Sequence, residues 1–354
     1  MPAHHNGRMA FGVVLLLMAL SSCSPPRALD PPPVSPDPAL LYAPHYRDGK
    51  YFNPWGANPN TFRDFLRWKF SANEYAEAKK QTPQIPLVRN DGSYLQENTA
   101  APSVTWIGHA TVLVQDLGDI WLTDPNFSDS IFWMKRFRPP GIPLEKIPTP
   151  KFVVISHNHY DHLDEPTIKR LPKETMVLVP KGLKTWMQER GHENSVELDW
   201  WESAQVGDWK VTLLPSQHWS RRGFSTDTSL WGSWLMEGHG RKYFFAADTG
   251  YFHGFQEFGK KFGSIDVVMM PIGAFAPRWF MQYQHTNPAE ALQAFQELKG
   301  KFLIPIHWGT FDLADEPLDE PPRLLQRQLE QRPDLKERVR ILAIGEQFVI
   351  PPSS

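Results

Sequence analysis

The sequence predicts a layered α/β protein built on two β-sheets. Three observations lead there. Short apolar runs that end in polar residues recur from "SVTWIG" near residue 103 to "FLIPIHWG" at 302–309. Stretches of helical periodicity lie between several of them, which is the pattern of layered α/β proteins. Many of the β runs carry Trp, of which the chain has 14, and so many large side chains suggest two sheets rather than one. With 354 residues, 41% of them hydrophobic, the chain can supply a sizeable core for one large domain or two smaller ones. Its 37 basic and 39 acidic residues are interspersed to a formal charge of −2, so no basic block favours nucleic acid as a partner.

In chain order, Arg8 precedes the apolar run Met9 to Leu20, too short to span a bilayer but of the length of a secretory signal. "LSSC" follows, ending at Cys23, the single cysteine of the chain, and resembles the bacterial lipobox, in which cleavage before the cysteine precedes its acylation. Residues 1–22 are therefore expected to be a lipoprotein signal peptide. Cys23 is expected to be lipidated, which leaves no thiol for a disulfide framework. Several acyl chains anchor firmly. Ser24 stands where an aspartate would signal inner-membrane retention, so the expected location is the periplasmic face of a Gram-negative outer membrane. Residues 23–50 include eight prolines between positions 24 and 44 and read as an extended tether.

The domain is expected over 51–354. A helical arm from about Tyr51 to Lys80 leads into "TVLVQDLGDIWLTD", two β runs broken at "DLGD", which signals a hairpin. The apolar strand Phe152 to Ile155 delivers "SHNHYDHLD". "TMVLVP", "WKVTLLPSQHW", "SLWGSWLM", "KYFFAADTG", "IDVVMMPIG" and "FLIPIHWG" are further strands, and "EPTIKRLPK", "KGLKTWMQERG" and "NPAEALQAFQELKG" are helical.

The chemistry concentrates at residues 155–164. Three of the chain's 13 histidines and two aspartates crowd one loop there, and burying them would cost several kcal/mol unless something paired them. A metal would. The spacing H-x-H-x-D-H places His157, His159, Asp161 and His162 close enough to share two cations. His218, Asp248 and His307 each stand just beyond an apolar strand, where α/β proteins build their sites, so seven ligands can converge. Asp124, also at a strand end, reads as an acceptor that orients a ligand histidine rather than as a ligand. Asp164 either does similar work or caps the helix beginning near Glu165. His109 reads as a core histidine in preference to one supporting the site, and His45, His192, His239 and His253 read as surface residues.

The motifs "LTDPNFS", "ISHNHYDHLD", "VELDWWE", "PSQHW", "LWGSW", "FFAADTGY", "PIGAFAPRWFMQYQH" and "IHWGTF" closely resemble the N-acylphosphatidylethanolamine-hydrolysing phospholipase D family of the metallo-β-lactamase superfamily, over roughly residues 53–350. "PRWFMQYQH" is not demanded by metal binding, so it discriminates within the superfamily. The resemblance implies an αββα sandwich with two Zn²⁺ ions. His157, His159 and His218 would hold one ion, Asp161, His162 and His307 the other, and Asp248 would bridge them. It implies that a water bridging the ions loses a proton near neutral pH and attacks the phosphodiester, releasing N-acylethanolamine and phosphatidate, with Asp161 and Asp248 as the catalytic carboxylates. Tyr160 and His285 match positions that contact the lipid phosphate. The implied partner is a phospholipid at a membrane surface, and the family leaves a homodimer open. Phe62, Phe65, Leu66, Trp68 and the stretch Ser130–Phe137 suit either the membrane interface or core packing. Two other functions stay open: a lactonase, β-lactamase or sugar-phosphate hydrolase using the same metals on another bond, and a non-catalytic envelope lipoprotein.

Overall fold

In the computed structural model, which describes residues 35–97 and 101–352, the predicted β runs assemble into two large mixed sheets. Cys23 and the signal segment lie outside the described residues. The first sheet contains β1 (Ser103–Gly108), β2 (Thr111–Asp116), β3 (Asp119–Thr123), β4 (Phe152–Val154), β5 (Met176–Pro180) and β6 (Ser195–Leu198), with the C-terminal strand Gln347–Val349 on the outer side of β1. β1, β2 and β3 are antiparallel neighbours, whereas β3 to β6 run parallel. The expected hairpin at "DLGD" is present: Leu117 and Gly118 have φ of 47° and 87°, the paired left-handed conformation of a two-residue hairpin turn.

The second sheet runs in the order β7 (Ser203–Val206), β8 (Trp209–Leu214), β9 (Ser233–Gly238), β10 (Arg241–Phe245), β11 (Ile265–Pro271) and β12 (Gly300–Ile306). The strand period of two explains how the layers bury one another. Val112, Val114 and Trp121 point into the core shared with Trp209, Tyr243 and Val267 of the second sheet. Leu113, Ile120 and Leu122 point the other way, against Ile168, Leu171 and Met187. A strand buried on both faces reads as a continuous apolar run, which is how β2 and β4 read. Within the shared core, Trp121 meets Trp209 and Tyr243 edge-on at centroid distances of 5.7 and 5.4 Å. Two of the three polar tips of that cluster are satisfied, because Trp209 Nε1 donates to Asp119 Oδ2 at 2.9 Å and Tyr243 OH to Asp116 Oδ2 at 2.7 Å, whereas Trp121 Nε1 is buried without a partner.

Helices flank both sheets: α1 (Phe62–Phe70), α2 (Glu165–Arg170), α3 (Lys184–Gln188), α4 (Gly254–Phe262), α5 (Arg278–Met281), α6 (Pro288–Glu297) and α7 (Glu320–Glu330). Asp164 caps α2, accepting from Thr167 N at 3.2 Å, one of the two roles read for it. The arm departs from expectation. Only nine residues of it are α-helical, started by a capping box in which Asp64 N donates to Thr61 Oγ1 and Thr61 N to Asp64 Oδ2. Pro54, Gly56 and Pro59 prevent helix before it. After it the chain is held by tertiary contacts, Asn73 Nδ2 to Asp315 O and Lys79 Nζ to Ala314 O.

The tether expectation is shortened likewise. Residues 38–51 pack on the domain, with Leu41 buried and His45 Nε2 donating to Asp199 Oδ1 at 2.6 Å. The reading of four surface histidines also needs correction. His192 is fully buried and donates through Nε2 to Ile168 O at 2.6 Å, while His45, His239 and His253 are half-buried. Among the described residues no helix is long and apolar enough to cross a membrane.

Candidate metal centre

Chain direction explains why distant residues meet. β1, β3, β4, β8, β10 and β12 all run the same way within their sheets, and their C-terminal ends lie at one edge of the sandwich. The residues just past those ends are His109, Asp124, the loop carrying His157 to His162, His218, Asp248 and His307. The backbone there is forced into tight corners: His109, Asp124, Ala247, Ala274 and His307 are non-glycine residues with φ between 32° and 61°. Such conformations cost about 1–3 kcal/mol each and persist only where the surroundings enforce them. At Gly273 a Cβ would come 2.2 Å from His307 O, so this close passage of the loop after β11 requires glycine.

The structure brings all seven predicted ligands together. His157, His159, His218 and Asp248 form one group, and His109, Asp161, His162 and His307 another, each with ligand atoms within 4.8 Å of one another. Asp248 lies between the groups, with Oδ2 3.1 Å from His162 Nε2 and Oδ1 3.0 Å from His307 Nε2. The imidazoles are held by one nitrogen and present the other. His162 Nδ1 donates to Asp124 Oδ2 at 2.7 Å, His157 Nδ1 to Ser156 Oγ at 2.8 Å, and His218 Nδ1 to Gln284 O at 3.1 Å. The Nε2 atoms face the cluster, as lone pairs on His157 and His218, which burial keeps neutral. Asp124 also accepts from Ser156 N at 2.7 Å.

The donor chemistry fits a cation. His157 Nε2 and His218 Nε2 approach His159 Nδ1 at 2.8 and 3.3 Å, although the first two are lone-pair atoms once their Nδ1 positions donate. His162 Nε2, His307 Nε2 and Asp248 Oδ1 are buried without a hydrogen-bond partner. Buried polar atoms left in that condition cost about 1–3 kcal/mol each, and a metal ion satisfies them together. Burial pushes His157 and His218 well below the usual histidine range. Against their burial, Asp161 and Asp248 are held well below the carboxylate range by the surrounding imidazoles, so both stay ionised. Burial also lowers His307, but Asp248 and Asp161 outweigh it and raise the group to about 9.

A "Beta-lactamase superfamily domain" model matches residues 121–308, more than half of the chain and every predicted ligand. The chain belongs to the metallo-β-lactamase superfamily. It is 37% identical over 317 residues to the N-acyl-phosphatidylethanolamine-hydrolyzing phospholipase D 1 of Caenorhabditis elegans, covering 82% of this chain and 88% of the relative. An uncharacterised protein of Mycobacterium tuberculosis is also 37% identical, over 79% of this chain and 78% of its own. Among solved structures, the metallo hydrolase Igni18 from Ignicoccus hospitalis superposes with a TM-score of 0.55 at 19% identity, over 72% of this chain and all of that one, which shows the shared fold. This superfamily member is thus a metal-dependent hydrolase with the expected αββα arrangement, and by sequence it falls in the N-acylphosphatidylethanolamine-hydrolysing phospholipase D family.

Above the cluster the metallo-β-lactamase fold carries a cleft of ≈ 760 Å³, lined on one side by His159, Asp161, His218, Asp248, His285 and His307 and on the other by Phe62, Phe65, Trp68, Phe280, Met281 and Leu313. The arm builds that apolar wall. Trp68 stacks on Phe280 at 5.1 Å and donates through Nε1 to Asp315 Oδ1, so this tryptophan is a packed wall residue rather than an exposed one. Of the two predicted substrate contacts, His285 lines the cleft, with Nδ1 3.8 Å from Asp248 Oδ2 and free of hydrogen bonds. Tyr160 does not line it. Its ring packs against Phe132 at 4.5 Å and under Arg222 at 4.2 Å in a neighbouring groove, and its OH accepts from Gly223 N.

His109 was undervalued by the sequence. Its ring is buried beside the second group, with Nε2 2.9 Å from Asp161 Oδ2. Asn126 was passed over as well, although its Nδ2 donates to Asp161 O at 2.9 Å and its side-chain oxygen is gripped by Arg136 at 3.0 Å. The "DPN" turn beside Asp124 was the available signal. Asn53, buried at the foot of the arm, donates to the main-chain oxygen of His218 at 3.1 Å, a contact with no local signature.

Proposed function

We propose that the protein is a zinc-dependent phosphodiesterase that cleaves N-acylphosphatidylethanolamine into N-acylethanolamine and phosphatidate. The observation that carries this reading is the cleft, in which an imidazole–carboxylate floor faces an aromatic wall, an arrangement that suits a ligand offering an anionic ester and a long apolar chain together. The relative from C. elegans is named for hydrolysis of that lipid.

The two donor groups favour two ions, one with His157, His159 and His218 and one with Asp161, His162 and His307, with Asp248 between them. Imidazole-rich sets suit Zn²⁺. When bound, such a pair lowers the pKa of water from about 16 towards 7 and neutralises charge that develops on a phosphoryl oxygen. The chain supplies the rest. Asp124, Ser156 and Gln284 fix the tautomers of His162, His157 and His218. Asp161 and Asp248, both ionised, set the charge of the floor. His285, reaching in with an unpartnered Nδ1, is placed to bind a phosphoryl oxygen. The wall of Phe65, Trp68, Phe280 and Met281 takes an acyl chain and keeps water from that side.

The same reading covers location. A lipid on Cys23 would confine enzyme and substrate to one surface and raise their effective concentration. Phe62, Phe65, Leu66 and Phe70 on α1 are exposed, the first two also lining the cleft, and Phe132 and Trp133 project from the small hairpin Ser130–Lys135, as suits a face that enters a bilayer interface. The test is incubation of the zinc-loaded protein with N-acylphosphatidylethanolamine in mixed micelles, with products read by mass spectrometry. N-acylethanolamine with phosphatidate is expected. Turnover of a lactone or β-lactam without the lipid would favour another hydrolase, and metal-free protein without turnover would favour a binding lipoprotein.

A further inference from the structure

We infer that His109 is a positioning residue for the second metal subsite, setting Asp161 through its ring and His307 through its backbone. Gly108 and His109 turn the chain between β1 and β2 with φ of 125° and 55°, which throws the His109 ring inward. The turn is pinned on both sides: His109 N donates to Thr310 Oγ1 at 2.7 Å, and His109 O accepts from His307 N and from Trp106 Nε1, both at 2.9 Å. His307 thus inherits its place from the residue that also reaches Asp161.

The ring completes the link. Nε2 lies 2.9 Å from Asp161 Oδ2, and since a carboxylate only accepts, the imidazole is the donor. The ring centroid sits 4.1 Å from that of His307 and 5.3 Å from that of Phe311, which leaves it little freedom. Asn126 fixes the main chain of Asp161 but not its side chain. The last torsion of an aspartate is broad, so the carboxylate needs a second hold to present a chosen oxygen, and His109 provides it. His157 and His218 receive theirs from Ser156 and Gln284 instead. The effect of His109 is therefore selective for the group of Asp161, His162 and His307.

The test compares H109Q, whose amide keeps an N–H donor near the Nε2 position, with H109M, of similar size without one. H109F is the second donorless variant if H109M does not fold. Binding of Zn²⁺ to the purified full chain is measured against a chelator, together with the visible spectrum of the Co²⁺ form. In H109M or H109F the second equivalent is expected to weaken about 10–100-fold, the effect typical of a lost ligand-orienting contact, while the first stays unchanged; H109Q restores the second. An unchanged second equivalent in H109M and H109F, equal weakening of both equivalents, or an H109Q as weak as H109M overturns the inference. It rests on the two-ion reading of the site, and wild-type protein that takes up fewer than two equivalents overturns that reading first.

Discussion

Replacing Asn53 with Ala tests whether the N-terminal arm is part of the site rather than an appendage. Asn53 is 5% exposed, and its amide joins three elements: Nδ2 donates to His218 O at 3.1 Å and to Tyr283 OH at 2.8 Å, and Oδ1 accepts from Trp231 Nε1 at 3.2 Å. Tyr283 OH still donates to Gly56 O in the variant, and Trp231 Nε1 still donates to Ser216 O. Those two losses cost about 0.5–1.5 kcal/mol each as ordinary net hydrogen bonds. The carbonyl of His218 loses the partner that holds it and costs about 1–3 kcal/mol as a buried orphan. The total is about 2–6 kcal/mol. Urea denaturation of metal-free N53A and wild-type protein reads it, and a loss below about 1 kcal/mol would refute the reasoning. The variant should also bind Zn²⁺ more weakly than wild type, because His218 belongs to the first donor group.

In D124N the anionic acceptor for His162 Nδ1 is gone, and chelator competition should show metal affinity reduced about 10–100-fold; unchanged affinity would remove Asp124 from the account. Phe62, Phe65 and Phe70 are 73%, 39% and 86% exposed, so in a C23A background, which removes the proposed lipidation site, the triple change to Ser should abolish most co-sedimentation with phospholipid vesicles. A fully transferred Phe contributes about 1.5–3 kcal/mol, and vesicle binding equal to that of C23A alone would exclude α1 as a membrane face. Asp199 is half-buried, yet its hydrogen bonds from His45 and Lys181 hold it well below the carboxylate range. A depressed carboxylate stabilises the fold above its unfolded pKa of about 3.9 and loses that contribution as pH falls through and below it. Thermal melts between pH 5 and 3 should therefore fall less steeply in D199N than in wild type, and parallel curves would contradict the assignment.

The cluster was legible because its candidate ligands obey a local rule. Each stands at the end of an apolar strand, and the parallel runs of the sheets make those ends coincide. What stayed hidden depends on long-range contact. Asn53 and His218 are 165 residues apart, and nothing around "NPWG" announces that its amide grips a distant carbonyl. His109 was read as core because a single histidine beside an apolar run gives no sign of the turn that aims it. α4 went unread because Gly254 and Gly259 weaken its helical pattern, yet Gly259 is required there: a Cβ would come 1.8 Å from Glu297 O at the crossing with α6. α7 was masked by Pro321 and Pro322, which break a helix interior but are tolerated in the first turn where they stand. His192 looked like a surface residue from its charged neighbours, whereas packing against α2 buries it.

Metal content measured by plasma mass spectrometry on the zinc-dialysed full chain, wild type beside D248N, tests the central claim most directly. The account predicts two equivalents in wild type and fewer in the variant, because Asp248 faces both donor groups. Wild-type protein that retains no zinc, or a D248N that retains as much as wild type, would contradict it.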